Sequence, residues 1–106
     1  MTPEADRVES LRDLVHKDPS NALGHYMLAN ELLKSKRYRE ALAELDVYLG
    51  MADDEGAGYR MVATAHLALG SEEAAKDAYR KGIEAARRHH HPSMAEEFEA
   101  AVADLS

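Results

Sequence analysis

The sequence predicts an all-α chain built from antiparallel helix hairpins, and three observations carry that prediction. Apolar residues recur at helical spacing, and no segment alternates over strand-like length. Alanine supplies 19 of the 106 residues, as many as Leu, Ile, Val and Phe together. These alanines fall inside the periodic segments, as expected where helices approach closely through small contact residues. Prolines, glycines and short polar side chains then divide the chain into about six helical pieces.

The first helix is expected over 4–17, with Pro3 in its first turn behind a Thr2 cap and with Val8, Leu11 and Val15 on one face. KDPSN ends it, and Ser20 or Asn21 can cap a second helix over 21–35, carried by Leu28 and Leu32. A third, over 38–50, carries Ala41, Leu45 and Leu49. GMADDEGAG (50–58) reads as a loop before a fourth helix over 57–69. Gly70 stops that helix, and Ser71 with Glu72 and Glu73 starts a fifth over 72–88, with acidic side chains at its positive end. Pro92 precedes a sixth over 94–105, where Ser93 and Glu96 form a capping box and Met94, Phe98, Ala101, Val102 and Leu105 recur on one face. Connections this short make neighbours antiparallel.

The length fits one domain over 1–106. Twenty acidic against 13 basic residues give a net charge of −7, which opposes binding to nucleic acid or an anionic membrane. The chain has no cysteine, and so neither disulfides nor thiolate chemistry. Its apolar runs are far short of a membrane span, and MTPEADRVES lacks the basic and apolar regions of a signal peptide. A cytoplasmic location is the expectation.

Sliding the chain against itself gives a match at 34 residues. Leu28 falls on Val62, Ala29 on Ala63, Ala41 on Ala75, Leu45 on Tyr79 and Leu49 on Ile83. In this period, and in the small residues it repeats, the chain resembles the tetratricopeptide-repeat family. The resemblance covers 22–55 and 56–89, with a half repeat over 4–20 and a capping helix over 92–105. His25 and Tyr59 stand where the family usually has tryptophan, and Lys36 replaces the turn glycine that Gly70 matches. The resemblance implies a short right-handed α-solenoid in which Ala29 faces Ala41 and Ala63 faces Ala75. The outer helices act as caps, the last with Glu96, Glu97, Glu99 and Asp104 on a polar outer side.

No segment assembles a nucleophile, a base and an orienting group, and no glycine-rich phosphate loop exists, so neither enzyme activity nor a cofactor is expected. KSKRYR (34–39) is either a polyanion contact through Lys34, Lys36, Arg37 and Arg39, or a hairpin bend with Tyr38 as a wedge; Glu40 and Glu44 favour the bend. RRHHHP (87–92) reads as a fraying helix end, because three adjacent helical histidines point about 100° apart and cannot all meet one metal ion. ADDE (52–55) lacks the spacing of a calcium loop, and His25 and His66 fall at core positions.

The family's groove positions, carried onto this chain, are Leu23, Tyr26, Asn30, Leu33 and Lys34, then Arg60, Thr64 and Leu67. The resemblance implies a peptide or helix held there, with Asn30 pairing to backbone and Lys34 and Arg60 to a carboxylate. Tyr26 and Met61 stand where chaperone-tail binders have a lysine and a second asparagine, which speaks against such a tail. The expected function is non-catalytic binding of a protein or peptide partner. One alternative is homodimer formation through Val8, Leu11 and Val15 or through Met94, Phe98 and Val102. The other is a metal or polyanion response through RRHHHP and KSKRYR.

Overall fold

The computed structural model describes residues 3–106, and they are all-α. The order is α1 (Pro3–Lys17), α2 (Ala22–Lys34), α3 (Tyr38–Met51), α4 (Ala57–Ala68), α5 (Glu72–Arg88) and α6 (Pro92–Leu105), with no strand among the described residues. The expected Thr2 cap lies outside them. The chain divides into two compact units, one ending at Ala52 and the other spanning Asp53–Ser106.

In the first unit α2 packs against both α1 and α3. The helical spacing puts Val8 and Leu11 of α1, Leu28 and Leu32 of α2 and Ala41 of α3 into one buried cluster, with Val15 and Leu33 at its edge. Asn21 provides the α2 cap, its side chain accepting from the Leu23 N–H at 3.1 Å, while Ser20 donates to Asp18 instead. Arg7 of α1 reaches across to Glu31 of α2 at 3.2 Å.

In the second unit α5 packs against α4 and α6. Ala63, Ala75 and Ala78 are buried together beneath Val62, Tyr79 and Leu105, so the small residues do bring helices close. Phe98 of α6 is fully buried. Its ring lies where a side chain at Gly82 would be, 2.7 Å from an ideal Cβ there. The α4 start is capped from upstream: Asp54 accepts from the N–H groups of Gly56 and Gly58, each at 2.8 Å. A carboxylate suits the positive end of a helix.

Three helices end in the same reversal. After α2, Arg37 N–H returns to the Leu32 carbonyl and Lys36 N–H to Leu33. After α4, Ser71 returns to His66 and Gly70 to Leu67; after α5, His91 returns to Ala86 and His90 to Arg87. This double closure places a residue in the left-handed region: Lys36 (φ 60°), Gly70 (φ 79°) and His90 (φ 61°). The end of α5 is therefore a closed turn and not a frayed end, because the 2.7 Å bond from His91 locks it.

The Ser93–Glu96 capping box is also corrected. The reversal leads straight into a helix starting at Pro92, whose fixed φ suits that place, so Ser93 is already in the first turn. Nor does the Ser71 side chain cap α5, although Ser71 is the cap residue.

A left-handed residue other than glycine costs about 1–2 kcal/mol, partly offset by the greater freedom glycine has when unfolded. His90 is exposed. His90→Gly is therefore expected to raise stability by about 0.5–1 kcal/mol, read as a higher urea midpoint.

Candidate functional site

The core-facing side of α2 is set by His25, Leu28, Ala29 and Leu32, all buried. Elsewhere on the same helix, Leu23 is 62 % and Met27 44 % exposed, one turn apart. Helical geometry adds Asn30 and Lys34 to their face, since offsets of four, seven and eleven residues return to nearly the same direction. Asn30 is half-buried and Lys34 exposed, its Nζ 3.6 Å from Glu31. The result is an apolar pair with an amide and an ammonium further along the helix. Met27 was not among the expected residues, although its place four residues after Leu23 was the available signal.

The other expected α2 positions serve the unit itself. The Tyr26 ring packs on Tyr48 of α3, centroids 5.1 Å apart and planes tilted by 59°. Leu33 packs against the core.

On α4, Arg60 makes a two-pronged contact with Glu97 of α6 at 2.8 and 2.7 Å, and its guanidinium carbon lies 5.3 Å from the Phe98 ring centre. The bond from Arg60 holds the Glu97 carboxyl below its usual pKa, against a smaller opposing effect of burial. The Arg60 fork thus already grips a carboxylate, and that carboxylate belongs to α6. Thr64 donates to the Arg60 carbonyl at 2.9 Å, and Leu67 is exposed.

Of the residues suggested for self-pairing, Val15, Met94 and Val102 are half-buried and the other three are buried. Val8 and Leu11 lie in the first unit's core, and Phe98 is buried in the second. Within the basic run around the first bend, Arg37 binds Glu40, which also meets Arg12 at 3.4 Å.

RRHHH and ADDE meet within the second unit. Arg88 donates to Asp53 at 2.9 Å, and His91 lies 3.0 Å from Glu55. His89 Nε2 is 3.0 Å from Asp53 but not aligned for a hydrogen bond. Arg88, and His89 beside it, hold the Asp53 carboxyl below its usual pKa. No group of three or more His, Asp or Glu side chains among the described residues is placed to hold a metal ion.

A cleft of about 270 Å³ opens in the first unit between Arg12, Val15 and His16 of α1, Leu28 of α2 and Glu44 of α3. Beside it, Glu44 Oε2 is 2.7 Å from Nδ1 of the buried His25, whose Nε2 is 2.7 Å from the Pro19 carbonyl. No described helix is long and apolar enough to cross a membrane. No family model matches the chain, and no curated protein matches it significantly.

Proposed function

We propose that the chain is a non-catalytic protein–protein interaction module of the tetratricopeptide-repeat kind, a short right-handed solenoid working in the cytoplasm, and that α2 presents its peptide contact. The observation that carries this reading is the exposed pair Leu23 and Met27, on one face with Asn30 and Lys34. Leucine and methionine offer adaptable apolar contact, the amide can pair with peptide backbone, and the ammonium suits an acidic side chain or chain terminus. The repeat reading is supported by the same helix-ending reversal at Lys36 and Gly70, 34 residues apart, and by the buried alanines that share that offset. The lack of cysteine agrees with a cytoplasmic setting.

A displayed library of random peptides tests the assignment. Selection should return extended peptides of millimolar-to-micromolar affinity, roughly −4 to −8 kcal/mol. The double variant Leu23→Asp, Met27→Asp should lose them at least tenfold while keeping its melting temperature, because both side chains are largely outside the core. Selected peptides that bind the double variant as tightly would remove α2 from the assignment.

A further inference from the structure

His25 is held by two neighbours that can only accept. Its Nδ1 meets the Glu44 carboxylate of α3 and its Nε2 meets the Pro19 carbonyl in the loop between α1 and α2, both at 2.7 Å. A neutral imidazole carries one N–H and can satisfy only one of them; the imidazolium carries two and satisfies both. We propose that protonated His25 is a latch of the first unit, tying α2 at once to α3 and to the α1–α2 loop, and that loss of its proton opens one of the two ties. The residue is 5 % exposed, so the neutral form would leave a buried acceptor facing a lone pair, with little water to relieve it.

The other titratable groups nearby are accounted for. Arg12 and His16 of α1 line the cleft beside Glu44. Glu40 of α3 is engaged by Arg12 and Arg37, and Asp18 in the loop accepts from Ser20. None of them takes the place of Glu44 on the ring. Burial alone works against the charged ring, but the hydrogen bonds to Glu44 and Pro19 outweigh it and raise the His25 pKa above 6.5. A raised folded value stabilises fully below the unfolded pKa of about 6.5. That stabilisation is lost as pH rises through the folded value. In that window the ratio of folded to unfolded chain falls by up to about tenfold per pH unit, the slope of one proton.

The test is an NMR titration of the histidine ring signals, paired with urea unfolding between pH 5.5 and 9. His25 should titrate above the unfolded value of about 6.5, and stability should fall as pH rises through its midpoint. In Glu44→Gln, burial should win and the His25 midpoint should drop below its wild-type position, moving the loss of stability to lower pH. A wild-type His25 midpoint at or below about 6.5 would overturn the latch. So would a midpoint that Glu44→Gln leaves in place. The wild-type titration decides the matter even if the variant fails to fold.

Discussion

Phe98→Ala is expected to destabilise the second unit by about 3–5 kcal/mol, the range for removing a buried phenyl ring. For a domain held by about 5–15 kcal/mol, that is a large share of the whole. The expected cost lies at the high end because of what surrounds the ring. It is fully buried, with Tyr79 at 5.5 Å between ring centres and the Arg60 guanidinium carbon at 5.3 Å. Gly82 forms one wall and Gly56 approaches another, and a glycine has no side chain that could swing into the space left behind. The cavity would stay open, and Arg60 would lose the ring it lies over.

The same geometry predicts a reversal of sign. Gly82→Ala in the native protein puts a methyl group 2.7 and 2.8 Å from ring atoms of Phe98 and should cost stability. In the Phe98→Ala background the ring is gone, the Tyr59 Cβ at 3.2 Å remains a close neighbour of that methyl group, and alanine favours the helix by about 1 kcal/mol over glycine. There the substitution should stabilise. Urea unfolding followed by circular dichroism on the four proteins decides this, and equal effects of Gly82→Ala in both backgrounds would sink it.

What the sequence disclosed and what it hid follow from the range of each interaction. The helices were legible to within two residues because their signals are local: Asn21 as a cap, Gly70 as a stop, and alanines and leucines at helical spacing. The reversals at Lys36 and His90 were hidden, since nothing in a lysine or histidine announces a positive φ. RRHHH and ADDE were each visible as charged runs, yet their pairing joins residues 35 or 36 apart and exists only once the second unit has folded. The candidate site was legible in part. Leu23, Asn30 and Lys34 share one face of α2, as helical spacing alone requires, while Arg60 looked available because Glu97 was read only as part of a polar outer side. His25 was read correctly as packed. Its two acceptors, one of them a backbone carbonyl, leave no mark in the sequence pattern.

Gly56→Ala is expected to cost about 2–4 kcal/mol, combining backbone strain of about 1–3 kcal/mol with crowding. Gly56 has φ 140°, a conformation that side chains oppose. It occupies the cap position of α4, and its N–H is one of two that Asp54 binds. An ideal Cβ there would stand 2.4 Å from Met94 Sδ and 3.2 Å from a ring carbon of Phe98. The two causes can be separated, because the methionine is flexible and the backbone is not. Met94→Ala removes the closest obstacle but leaves the dihedral strain, so adding Gly56→Ala to Met94→Ala should still cost more than about 1 kcal/mol. A smaller second step would assign the glycine to side-chain space alone. If the step persists, the chain requires glycine here because α4 must start with its first N–H groups turned towards Asp54, and the buried carboxylate fixes that turn.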